Sequence, residues 1–251
     1  MNESDLKREV SSEILEALVQ LYLRLNGYFC IGNYLYHRSK LEIENGLVSE
    51  SDVLAMRMPN QVEVLSDGTE QRNDPLLLPP SAETRPDCVI GEVKEREVDF
   101  NNPIKRDGGE AVISSALRMF GLLPHGEFEE GKLGSTIAAR LRKQVLEQAW
   151  SKFPYCDEDH RLFVRMIVFA RRDAKKANNR TLAFIPLEHL LEWVRDRMKP
   201  GQICSPYTRS NKFSPWHGIT RVVVDFLDAS YEMQPGPSLD DLLSFALKKL
   251  L

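Results

Sequence analysis

One segment constrains this chain more than any other: Cys88-Val89-Ile90-Gly91-Glu92-Val93-Lys94. It is a short, largely β-branched apolar run that ends in charge. Side chains alternate along a strand, so Glu92 and Lys94 share a face. Charge at the end of a buried apolar strand must be compensated, because burying it unpaired is costly. A divalent cation beside the carboxylate would compensate it.

Around this strand the pattern reads as mixed α/β. Residues Ser11 to Asn26 carry an apolar stripe at helical spacing, with Ser11 and Ser12 as caps and Gly27 as the stop. Tyr28 to Tyr36 and Asp52 to Met56 read as strands, and Gln61 to Leu65 as an extension or partner of the latter. Ser66 to Pro86, with Gly68, Asn73, Asp74 and four prolines, is expected to be an irregular loop. Helices are expected over Glu110 to Leu122 and Ser135 to Phe153. Leu162 to Ala170 is the best strand in the chain and is expected to be central. A short strand at Leu182 to Ile185 leads into a helix opened by Pro186. Lys199 to Pro215 reads as loop. Leu239 to Leu251 reads as a closing helix, and Trp216 to Leu227 as a helix or, through Val222-Val223-Val224, a strand. This order predicts a central sheet covered by helices.

Bulk properties exclude little. The 251 residues suffice for one large domain or a domain with an appended piece, and the net charge of -4 neither supports nor excludes a nucleic-acid partner. Local basic clusters at Lys105-Arg106, Arg140 to Lys143, Arg171-Arg172 and Lys175-Lys176 could hold phosphates or simply be solvated faces. Cys30, Cys88, Cys156 and Cys204 are scattered, which suits reduced thiols better than a zinc site or a disulfide framework. The polar N-terminus lacks a secretory apolar region, and no apolar run approaches the roughly 20 residues of a membrane span. A cytoplasmic location is expected. The five histidines show no ligand spacing, and there is neither a G-x-S-x-G elbow nor a glycine-rich phosphate loop.

Asp52 is a second acid at the end of a short apolar strand. Together Asp52 and Glu92 offer hard oxygen ligands that suit Mg²⁺ or Mn²⁺, and the main-chain carbonyl of Val93 would complete the protein ligands. Lys94 would orient the attacking water. In a cationic, partly desolvated site its pKa is expected to fall.

The stretch Asp52-Val53-Leu54-Ala55, followed by Pro86-Asp87-Cys88-Val89-Ile90-Gly91-Glu92-Val93-Lys94, resembles the PD-(D/E)xK nuclease superfamily, and most of all a poorly characterised bacterial branch of it. The resemblance implies a restriction-endonuclease-like three-layer sandwich, with a mixed β-sheet flanked by helices. It implies Asp52 as first acid, Glu92 as second and Lys94 as the lysine. It also implies a helix glutamate, best matched by Glu16 from its spacing to Gly27-Tyr28, with Glu13 as competitor. The literal Pro86-Asp87 lies only five residues before Glu92, so Asp87 is the alternative to Asp52. Residues 1-172 would form the nuclease-like core, with a loop insertion at 66-86, and residues 173-251 a C-terminal extension packed on the same domain. The implied activity is metal-dependent hydrolysis of phosphodiester bonds in DNA, with RNA the other nucleic acid such a site could cut. The alternative is an inactive protein of the same fold that binds nucleic acid or a protein partner. A homodimer is compatible with this reading, and the oligomeric state stays open.

Overall fold

The computed structural model describes residues 2–36, 49–61, 63–64, 68, 70–77, 84–147, 155–156, 163–176, 184–197 and 218–251. Helix α1 spans Glu3–Leu25. It starts earlier than its apolar stripe suggests, because Asn2 caps Asp5 N at 2.9 Å and Glu3 pairs with Lys7 at 2.6 Å. Gly27, at φ +84°, reverses the chain into β1 (Phe29–Tyr36). Strand β2 (Ser49–Arg57) follows, then the two-residue strands β3 (Glu63–Val64) and β4 (Glu70–Gln71), and β5 (Asp87–Lys94). After β6 (Glu97–Val98) come α2 (Asn102–Lys105), α3 (Gly109–Met119) and α4 (Leu133–Glu147). The chain continues through β7 (Tyr155–Cys156), β8 (Phe163–Ala170), β9 (Lys175–Lys176) and β10 (Phe184–Pro186). Helices α5 (Leu187–Arg197), α6 (Gly218–Ala229) and α7 (Leu239–Leu250) complete the described chain.

The main sheet runs β1-β2-β5-β8-β10, with β7 also paired to β8. The β1/β2 and β2/β5 pairs are antiparallel, and β5/β8 and β8/β10 are parallel. The protein is therefore α/β, with a mixed sheet flanked by helices. Strand alternation sorts the core onto two faces. Val53, Ala55, Val89 and Val93 face a cluster formed with α1, α5, α6 and α7. Leu54, Cys88 and Ile90 face the cluster formed with α2, α3 and α4. Each fully buried Leu or Ile contributes roughly 1.5–3 kcal/mol of apolar burial, so both layers hold the sheet firmly.

Strand β8 is interior to the sheet, as expected, pairing with β5, β7 and β10, although the middle of the path is β5. Other expectations need correction. Residues 63–64 do not join β2. They pair with β4 in a separate two-stranded sheet. The stretch expected as an irregular insertion therefore holds a strand, and it also holds a turn that buries Asp74 and Leu77. The helix read over Trp216 to Leu227 is present at residues 218–229, and only its strand alternative falls, despite Val222-Val223-Val224. The amphipathic face buries Val222, Val223, Phe226 and Leu227, and that packing outweighs the weak β propensity. The loop expected at 199–215 and the end of the helix expected at 148–153 lie outside the described residues.

Candidate metal centre

The β2/β5 ladder runs from Arg57↔Asp87 to Val53↔Gly91. One further step would set Asp52 opposite Glu92. The ladder stops there, and side chains take over. Asp52 Oδ2 accepts from Val93 N at 2.6 Å, and Ser51 Oγ donates to the Gly91 carbonyl at 3.1 Å. Gly91 permits this close approach. A Cβ there would lie 2.5 Å from Val53 Cγ1 and 3.1 Å from the Phe169 ring.

Asp52, Glu92 and Lys94 alternate in phase with Leu54 and Ile90, so all three belong to the α3/α4 side of the sheet. They gather at the carboxyl ends of the parallel strands β5 and β8, where open α/β sheets commonly bind ligands. Glu92 is 0% exposed, and among the described residues neither of its oxygens finds a well-directed hydrogen-bond donor. Lys94 Nζ lies 2.9 Å from Oε2 as an ion pair and donates to Asn101 Oδ1 at 2.7 Å. Burial pushes the Glu92 carboxyl up to about 8, and the Asp52 charge adds to this, although Lys94 opposes it. Burial pulls the Lys94 ammonium down, but the charges of Glu92 and Asp52 outweigh it, and the net shift is upward. The fall expected for Lys94 in a cationic site is thus reversed when its neighbours are two carboxylates.

A divalent cation fits this arrangement. Two carboxylates face a single ammonium, and such an ion would balance the remaining negative charge and fill the open oxygens of Glu92. Among the described residues no group of three His, Cys, Asp or Glu side chains gathers. The protein would therefore offer two carboxylates and leave the remaining positions to main chain and water, which suits Mg²⁺ or Mn²⁺ better than a cation needing an all-protein cage. The Val93 carbonyl was the expected third ligand, yet the Val93 group seen in use is its N–H, held by Asp52.

The other expected residues divide by position. Gln20 of α1 lies against Gly32. Glu16, one turn earlier, is therefore level with Tyr34 and Ser51, at the sheet end that carries Asp52. It sits on the helix covering the opposite face, and its carboxylate accepts from Ser12 Oγ at 3.2 Å. Glu13 is exposed on α1. Asp87 is remote from the site, about 16 Å down β5 and on the α1 side, where Arg165 and Tyr28 hold it. Asn101, seven residues after Lys94, is its direct partner. Ser51 carried no sequence signal.

The basic clusters are partly spent on the protein itself. Lys105 pairs with Asp99, Arg142 bonds Glu110 and the Arg106 carbonyl, and Arg171 bonds Asp240. Lys175-Lys176 form β9, which runs parallel to Glu97-Val98 just beyond Lys94. No described helix is long and apolar enough to cross a membrane. Comparison with protein-family models, curated proteins and solved structures finds no match.

Proposed function

We propose that this protein is a metal-dependent nuclease of the restriction-endonuclease-like kind, hydrolysing phosphodiester bonds in DNA. The observation that carries the reading is Glu92, a fully buried carboxylate with unsatisfied oxygens, set beside Asp52 and paired with Lys94. Asp52 and Glu92 would hold a Mg²⁺ or Mn²⁺ ion. Such an ion, when bound, lowers the pKa of water and neutralises charge on the scissile phosphate.

The chain's own groups do the rest. The Val93 N–H fixes one Asp52 oxygen and so sets the direction of the carboxylate. Lys94 is an ammonium at neutral pH and is tethered by Asn101 and Glu92. It orients the incoming water or steadies a phosphate oxygen by donating, rather than by removing a proton at the outset. The apolar cluster behind Ile90 and Leu54 keeps bulk water from the inner side of the site.

The test is incubation of purified protein with plasmid, linear DNA, single-stranded DNA and RNA in Mg²⁺ or Mn²⁺. Cleavage is expected for DNA, with loss of at least about 10²-fold in the Lys94→Ala variant. Intact substrates in every arm, or a Lys94→Ala protein that cuts like the parent, would remove the reading.

A further inference from the structure

Strand β1 carries an anomaly at the level of this site. Its register with β2 is continuous from Phe29↔Met56 to Tyr36↔Ser49, with one omission. Gly32↔Val53 and Tyr34↔Ser51 are paired, but Asn33, which should stand opposite Asp52, is not. Asn33 has φ +51° in the middle of a strand. Among the described residues the other non-glycine residue with positive φ, Asn60, lies in a turn, where that geometry is ordinary. Asparagine tolerates the left-handed region better than most residues, and a β-branched residue tolerates it worst.

Two consequences follow. First, among the described residues Asp52 has no bridged partner on either side, since the β2/β5 ladder also ends at Val53↔Gly91. Second, the alternation of β1 shifts phase across Asn33. Cys30 packs on the α1 side and Gly32 meets Gln20 there, so Tyr34 should follow. Tyr34 packs instead against the α3/α4 cluster, on the face of Asp52, Glu92 and Lys94. The exposed Asn33 side chain makes no hydrogen bond among the described residues, so its backbone, not its amide, is the feature in use.

We propose that Asn33 is a positioning residue of the site. Its left-handed backbone keeps Asp52 free of the β1 ladder and brings Tyr34 to the metal-binding face. This rests on the metal-centre reading of Asp52 and Glu92.

The test compares Asn33→Gly, which keeps the left-handed region accessible, with Asn33→Val, which penalises it. Three readouts are taken on the full chain: Mn²⁺ binding by calorimetry, DNA cleavage, and hydrogen exchange at the Val93 amide. Asn33→Gly should match the parent within about twofold. Asn33→Val should weaken Mn²⁺ binding by about five- to thirtyfold, the cost of a left-handed residue expressed as a ratio, and alter Val93 protection. A Val variant equal to the parent in both would overturn the proposal, as would a Gly variant as impaired as Val. Mn²⁺ binding without cleavage in the parent would sink the nuclease reading and leave the Asn33 comparison intact. If the parent binds no Mn²⁺, the metal-centre reading fails, and with it the proposed role of Asn33. Val93 protection would then report only whether the kink orders the strand end.

Discussion

The two ends of β5 each bury a carboxylate at 0% exposure, and they treat it in opposite ways. At the first residue, Asp87 is saturated. Arg165 Nε donates to Oδ1 at 3.0 Å, while Arg165 Nη2 and the Tyr28 hydroxyl both donate to Oδ2. At the sixth residue, Glu92 has only an off-axis ammonium and the unfavourable company of Asp52. A saturated buried ion pair needs nothing more from outside the chain. An unsaturated carboxylate beside another is costly, and functional sites are where such groups gather. The difference separates an aspartate that fastens the fold from a glutamate that the fold tolerates.

The largest effect is expected where the saturated end is broken. Arg165→Leu leaves Asp87 and Tyr28 without their cation in a closed core, and should destabilise the protein by about 3–5 kcal/mol in a denaturant titration. A cost below about 1 kcal/mol would mean that this end is no better satisfied than the other. The next effect is a pH dependence at the unsaturated end. The Glu92 carboxyl is held at about 8 in the folded chain, against an ordinary value of 4.5. Because the folded value is raised, the stability tied to the bound proton is complete below about 4.5 and is lost as pH rises through about 8. Without metal, chemical stability should therefore decline across that window, and added Mn²⁺ should offset the decline. Glu92→Gln sharpens the same contrast. It should be near neutral at about pH 4.5 and increasingly stabilising as pH rises, by at least about 1–2 kcal/mol at pH 9 without metal, while abolishing Mn²⁺ binding. The corresponding Asp87→Asn change should destabilise at both values.

How much of this was legible in the sequence follows from how far apart the interacting residues lie. Glu92 and Lys94 are two residues apart, and alternation alone puts them on one face. Asp52 could be read because an acid at the end of an apolar run is itself a local signal. Asp87 could not be placed, because its partners Tyr28 and Arg165 are 59 and 78 residues away. Nothing near Pro86 says that a guanidinium waits across the sheet. Likewise the turn around Asp74 lies in a stretch whose prolines and polar residues read as loop. The contacts that bury it come from Tyr22, 52 residues away, and His189, 115 residues away. The left-handed Asn33 was hidden for the opposite reason. Phe29 to Tyr36 reads as an unbroken strand, and a single backbone reversal leaves the composition unchanged.

The smallest prediction concerns that Asp74 turn, which adds a second saturated carboxylate on the α1 side of the sheet. Asp74 is 2% exposed and accepts from the Tyr22 hydroxyl at 2.7 Å and from Leu76 N at 2.9 Å, with His189 Nε2 at 2.6 Å. Burial pushes the Asp74 carboxyl up, but its bonds to His189, Leu76 and Tyr22 win, and the net shift is downward. The His189 imidazole is raised, chiefly by its bond to Asp74. The two members therefore bracket a pH window. The His189 contribution is complete below an ordinary 6.5 and fades as pH rises through its raised folded value. The Asp74 contribution is present above an ordinary 3.8 and is lost as pH falls through its lowered folded value. The imidazole is partly open to solvent, so screening keeps the effect small. His189→Asn should cost about 1 kcal/mol near pH 5.5 and less above pH 8, read from denaturation midpoints at the two values. A cost that instead grows toward pH 8 would show that His189 acts there as neutral packing against Tyr22. The turn would then owe its position to Leu77 burial and not to a saturated charge.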